Sequence, residues 1–407
     1  MKICYLIPGC GVSGGIAVIC QHSERLKARG HEVSLVVDGM LGDMSWFPGQ
    51  SVPVVPLTDY PQEVDILIAT SWATAFRVPL LLAKRHAYFV QSDETRFHPP
   101  GSCWEHITRL SYVIPFNYLT EAHWIRTWLQ AQFGHEAALV PNGLDTSIFY
   151  PCEPLAPRGR RPRILLEGAI ALPYKGMWEA FEAVKPIDAE IWCVSSCGKP
   201  DPAWRCDRFF SAVPMEQMRE IYSSCDLLLK LSRVEGFFGP PMEMMACGGA
   251  VVVGRVTGYD EYIIDGENAL VVDPFDIQAA RAAVQRLLED TALREHLIAN
   301  GRATVARWNW DSSINRLEQA LQALLVDPSR ALSSPQRVVA ESIAYFYGEL
   351  RGEPLLSDPP ISAKNARLLA DPTEFLVGRL RRQGWFRVLA RLLVRGYQKW
   401  RSLLKAS

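Results

Sequence analysis

Short apolar runs and amphipathic stretches alternate along this chain from its first residues. Residues 3–7 are continuously apolar, as a strand buried on both faces requires. A glycine-rich turn over 8–15 follows, and a helical pattern then runs from 16 to 28 and stops at Gly30. Residues 33–37, 52–55, 66–69, 88–90 and 138–140 read as further strands, with helices over 73–84, 103–110 and 120–132 between them. Such β-α repetition predicts a parallel sheet covered on both faces.

Between 151 and 162 the composition turns to Pro, Gly and Arg, the signature of a linker. A second series follows, with strands over 163–166, 190–194, 209–213, 226–230, 251–253 and 269–272. Helices over 177–184, 215–223, 241–246, 277–289, 292–307 and 314–325 accompany them. The fold class is therefore α/β, with an N-terminal domain over 1–150, a second over 151–326 and a helical extension over 327–407. In open parallel sheets ligands bind beyond the C-terminal strand ends, so both halves can address one substrate across a cleft.

Composition adds exclusions. The chain has 407 residues, 48% hydrophobic and 21% charged, which excludes disorder as a description of the whole. A net charge of −1 gives no sign of a nucleic-acid partner. The ten cysteines are scattered, without a Cys-x-x-Cys, as thiols are in a reducing compartment. The first apolar run is too short for a signal peptide, and no run reaches the ~18 apolar residues of a membrane span, so a cytoplasmic location is expected. The eight histidines do not cluster with cysteine at ligand spacing, so no metal site is expected; His22 and His31 read as residues at element boundaries.

Two segments carry candidate chemistry. The 8–15 turn opens a helix, and Gly14 and Gly15 allow close backbone approach of an anion, although such a turn is as often structural. The stronger one is SRVEGFFGPPMEMMACGG, residues 232–249, in which a strand enters a glycine-rich loop and Pro240 or Pro241 starts a helix. Glu235 precedes that helix and Glu243 lies in its early turns. Loop amides and the helix dipole suit a diphosphate, and carboxylates suit sugar hydroxyls; the bland alternative is a capped helix with two solvated glutamates.

This segment resembles the family-4 retaining glycosyltransferases, which have the GT-B architecture of two Rossmann-like domains facing a cleft. Glu235 and Glu243 match the family's Glu-x7-Glu pair, and EGFFGPPMEMMACGGAVVV reads like its signature. PNGLDTSIFYP at 141–151, Lys175-Gly176, GYDEYIIDGENALVVDPFD at 258–276 and Gly14-Gly15 follow the family's order, so the likeness covers about residues 1–325. The resemblance implies transfer of a sugar from a nucleotide-diphosphate-sugar to a glycan or lipid-linked acceptor hydroxyl, without a metal or other cofactor. It gives Glu243 the ribose hydroxyls and sets Glu235 by the sugar and the reacting centre. The amides of Phe237, Phe238 and Gly239 would face the donor, with Gly236 beside them among the donor-binding residues. Lys175 would neutralise the leaving phosphate, with Gly14 and Gly15 approaching from the other domain. Gln91, Asp93 and Glu94 would stand on the acceptor side, against the alternative of a plain loop and cap.

Departures accompany the likeness. Gly168 is followed by Ala169 where the family has an arginine, a loss for which Arg233 is a candidate substitute, and Phe238 displaces a motif glycine. No Asp-x-Asp occurs. These leave a catalytically weak nucleotide-sugar-binding scaffold as the alternative; a dinucleotide oxidoreductase on the Gly14-Gly15 loop is a third reading. Finally, residues 375–407 contain nine basic residues and no acidic one, with Arg387, Arg391, Arg395 and Lys399 every four positions beside a stripe containing Trp385, Tyr397 and Trp400. That pairing predicts an in-plane contact with an anionic membrane through 379–405, on the inner face of the plasma membrane, or else with the acidic body of the chain itself.

Overall fold

Apolar side chains alternate between two faces along the first strand, and that alternation builds the first lobe. The computed structural model describes residues 1–157 and 159–351. Its first lobe contains β1 (Lys2–Ile7), α1 (Gly14–Ala28), β2 (Glu32–Val37), β3 (Val54–Pro56), β4 (Ile66–Ala69), α2 (Trp72–Ala75) and β5 (Arg85–Val90). It continues through α3 (Cys103–Ser111), β6 (Asn117–Thr120), α4 (His123–Phe133) and β7 (Ala137–Leu139). The sheet is parallel in the order β3-β2-β1-β4-β5-β6-β7. Ile3, Tyr5 and Ile7 face one core, and Cys4 and Leu6 the other.

The second lobe contains β8 (Arg163–Glu167), α5 (Met177–Val184), β9 (Glu190–Ser195), β10 (Arg208–Ser211), α6 (Met215–Ser224) and β11 (Leu227–Lys230). After these come α7 (Gly239–Ala246), β12 (Ala250–Gly254), β13 (Leu270–Val272), α8 (Ile277–Glu289) and α9 (Thr291–Val305). Its parallel sheet runs β10-β9-β8-β11-β12-β13, which puts β8 and β11 side by side at the centre. Two Rossmann-like lobes, the arrangement expected, therefore face one another.

The chain then returns. Along α10 (Trp310–Val326), Trp310, Ile314, Leu317, Leu321 and Leu324 join the first lobe's core beside Ile3 and Tyr5. Tyr347 of α11 (Ser334–Arg351) stacks on Phe76 on that lobe's other side. Outward and return crossings are joined where the Leu144 N–H donates to the Trp308 carbonyl at 3.1 Å. A Cβ on Gly143 would lie 2.3 Å from the Trp310 nitrogen, so the close approach depends on glycine.

Three local expectations are corrected. The helix read over 73–84 is broken into α2 and a 3-10 turn (Val78–Leu80), because Pro79 lacks an N–H to continue the first. β6 was not read, since NYLT is only four residues with polar ends. His22 is not at a boundary but inside α1, fully buried and edge-on to Phe89 and Trp310; burial lowers its pKa to about 3 and keeps it neutral. All ten cysteines are free thiols. Among the described residues no helix is long and apolar enough to cross a membrane. The basic stretch over 379–405 lies outside the described residues.

Candidate active site

The two central strands of the second lobe end in charge. Glu167 closes β8 and Lys230 closes β11. Past β8, a 3-10 turn (Pro173–Lys175) carries Lys175 back over the strand ends. Gly176 makes that path possible: its φ is +65° and a Cβ there would meet the Leu231 carbonyl oxygen at 2.1 Å. Past β11, the loop to α7 brings in Glu235. The four side chains form a line of alternating sign. Glu167 accepts from Lys230 Nζ, Lys230 Nζ lies 3.6 Å from Glu235 Oε1, and Glu235 Oε2 accepts from Lys175 Nζ at 2.8 Å.

Charge governs the ionisation of this line. Burial alone would raise the Glu235 carboxyl, but the Lys175 and Lys230 ammonium groups outweigh it and hold it below the usual carboxylate range. Burial would likewise lower Lys230; Glu167 and Glu235 reverse that and keep it charged. Glu243, inside α7, accepts a hydrogen bond from the Tyr222 hydroxyl at 2.9 Å, and burial raises its pKa to about 7.

The first lobe meets this loop directly. Ser92 Oγ donates to the Glu235 carbonyl at 3.2 Å and Trp124 Nε1 to the Gly236 carbonyl at 3.0 Å. The Phe237 N–H donates to Glu121 Oε1 at 2.9 Å. Phe97 stacks on Tyr174 with ring centroids 5.4 Å apart, and Glu261 supplies the acceptor for Trp124 N at the uncapped start of α4. Gly15, near the N-terminus of α1, lies against the Gln91 side-chain amide. Gln91 Oε1, Glu235 Oε1 and Asn142 Oδ1 are buried acceptors with no hydrogen-bond partner among the described residues. Orphan acceptors of this kind suit hydroxyl donors, which a sugar supplies in number.

The structure thus brings Lys175, Glu235 and Gly236 together with Gln91 and Gly15, while Glu243 sits one helix turn along. Other expectations are corrected. Of the loop amides expected to face a donor, that of Phe237 donates to Glu121 and that of Gly239 to the Phe237 carbonyl, while the Phe238 side chain packs into the lobe's core and leaves the expectation for its amide as it stood. Asp93 caps a 3-10 turn through Thr95, and Glu94 accepts from Trp72 N and the Tyr88 hydroxyl, so both are structural caps. Arg233, the candidate substitute for the missing arginine, pairs with Glu179 and lies over the Phe275 ring. Glu121, Glu167 and Lys230 were missed. The available signal was a charged residue at or just past the C-terminal end of an inner parallel strand.

Glu121 supports a prediction of its own. Burial raises its pKa to about 7, as it does for Glu94 and Glu243. The folded chain therefore holds protons that the unfolded chain has released above about pH 4.5, and stability falls as pH rises from there through about 7. Glu121→Gln removes one of three such contributions. Its melting temperature should decline less between pH 5 and 8 than that of the wild type; superimposable profiles would refute the assignment.

Comparison with known proteins is consistent with this geometry. Residues 208–304, the segment holding Lys230, Glu235 and Glu243, match the family model described as "Glycosyl transferases group 1". Over that segment, about a quarter of its length, the chain is similar to the group 1 glycosyltransferases. Among similar proteins, the O-antigen biosynthesis protein RfbC of Myxococcus xanthus is 24% identical over 281 residues, 66% of this chain and 21% of that one. The O-antigen chain mannosyltransferase B of Escherichia coli is 30% identical over 175 residues, 43% of this chain and 41% of that one. The chain therefore spans less than half the length of either. An Anabaena protein, HepE, solved with UDP and glucose, superimposes with a TM-score of 0.66 at 15% identity, over 80% of this chain and all of that one, and shares its fold. Among the described residues, no group of three His, Cys, Asp or Glu side chains is placed to hold a metal ion.

Proposed function

We propose that the chain is a retaining glycosyltransferase of the family-4 type, moving a hexosyl or deoxyhexosyl group from a nucleotide-diphosphate-sugar to a hydroxyl of a glycan or lipid-linked acceptor. The observation that carries this is the Lys175–Glu235 pair at the strand ends, set against the orphan acceptor of Gln91 and the glycine-opened start of α1. Breaking an anomeric bond places negative charge on the departing diphosphate. A fixed ammonium group and the positive end of α1 stabilise that charge where it develops. Lys175 carries this duty in place of a metal, a reading supported by the lack of Asp-x-Asp in the sequence. Retention follows from front-face departure, the leaving phosphate taking the acceptor proton.

The O-antigen relatives support a place in cell-surface polysaccharide or glycolipid assembly. The basic and aromatic stripes of 379–405 support work on the cytoplasmic face of the plasma membrane. A melting screen against UDP-, GDP-, dTDP- and ADP-sugars, with NAD alongside, tests the donor class; stabilisation by NAD alone would refute it. Glu243→Gln should weaken the stabilising nucleotide roughly tenfold or more, the size of a lost charge-assisted hydrogen bond. Unchanged affinity would remove Glu243 from the ribose.

A further inference from the structure

Lys175 has two demands on it that one ammonium group cannot meet together. Without a ligand it is the nearest cation to Glu235, at 2.8 Å, yet the reading above assigns it to the diphosphate. If Lys175 turned to a ligand with nothing in its place, Glu235, whose side chain is 10% exposed, would become a lone carboxylate beside further negative charge. A buried unpaired charge of that kind either protonates or expels its neighbour. Two positions that could supply a second cation do not: position 169 is alanine, and Arg233 is bound to Glu179.

Lys230 can supply it. Its side chain is 2% exposed, with Nζ held on one side by the Glu167 carboxylate and by the Glu167 carbonyl at 3.1 Å. On its other side lies Glu235 Oε1 at 3.6 Å, an ion-pair distance rather than a hydrogen bond. So anchored, Lys230 cannot swing out to a ligand, but it faces the oxygen of Glu235 that Lys175 does not use. We propose that Lys230 is a positioning residue that holds Glu235 charged and in place while Lys175 serves the diphosphate. The proposal rests on the nucleotide-sugar reading above. The other groups facing Glu235 are Ser232 on its own loop, Glu121 from the first lobe, and Tyr174 and Tyr262; none of them is a cation.

The test uses the full chain with Lys230→Met, and the double variant Glu167→Gln/Lys230→Met, which leaves no uncompensated Glu167 if the single variant fails to fold. Carboxyl carbon NMR, with the Glu235 signal identified by its loss in Glu235→Gln, follows ionisation directly. Removing Lys230 should raise the half-titration point of Glu235 by about one to three pH units. Calorimetric titration with UDP, GDP, ADP and dTDP should show affinity down roughly tenfold or more at neutral pH, recovering on acidification as Glu235 takes a proton. A packing role would lower affinity equally at every pH and leave the Glu235 titration where it was; that result, in variants of a chain whose wild type binds a nucleotide, overturns the proposal alone. A wild type that binds none of the four overturns the nucleotide-sugar reading and this proposal with it.

Discussion

Replacing Glu235 by glutamine should slow sugar transfer by a factor on the order of 10²–10³, the size seen when one preorganised electrostatic contact at a reacting centre is removed. The side chain keeps its shape, so the loss is one of charge: Lys175 and Lys230 lose the carboxylate that fixes their separation. Nucleotide binding should survive, because Glu243 is untouched and Lys175 is released toward the diphosphate. The variant should therefore lose kcat with little change in melting temperature or in nucleotide affinity. Since Lys175 and Lys230 hold Glu235 below the ordinary carboxylate range, its protonation should not limit the wild-type rate above about pH 4.5. Turnover of the variant within threefold of wild type would remove Glu235 from the chemistry.

Gly236→Ala should be nearly as damaging for a different reason. A Cβ at that position would lie 1.7 Å from the Gln91 carbonyl oxygen and 2.9 Å from Glu121 Oε1, so the loop must retreat from the first lobe. Three cross-lobe hydrogen bonds go with it: Ser92 to the Glu235 carbonyl, Trp124 to the Gly236 carbonyl, and Phe237 N–H to Glu121. Each lobe keeps its own core, so the variant should remain folded. Displacing a reacting group by about an ångström costs about 10²-fold in rate, and a loss of that size is expected here. If the alanine variant turns over normally, the lobe contacts made through Ser92, Trp124 and Glu121 are not needed for transfer.

Much of the architecture could be read from the chain because strands buried on both faces leave uninterrupted apolar runs. Residues 66–69 were located to the residue for that reason, and the helix over 177–184 by its amphipathic spacing. NYLT escaped because an outlying four-residue strand needs few apolar positions. At the site, Glu235, Glu243 and Lys175 stood out as members of an ordered motif. Lys230 and Glu121 did not, since each is a single charged residue beside an apolar run, and only strand order brings one beside Glu167 and the other against Phe237. The caps formed by Asp93 and Glu94 look, in sequence, the same as residues waiting for a hydroxyl. What separates the two cases is where their hydrogen bonds go, and that is decided by Trp72, Tyr88 and Thr95, which sequence spacing does not connect to them.

The return of α10 to the first lobe bears on how the halves can be handled and how they can move. A fragment ending near residue 305 would leave the apolar bed of Trp310, Ile314, Leu317 and Leu321 open to water, so the N-terminal half is not an independent piece to be expressed alone. With two polypeptide passages bound side by side at Leu144 and Trp308, the lobes are laced together at one seam, and a displacement of either passage carries the other with it.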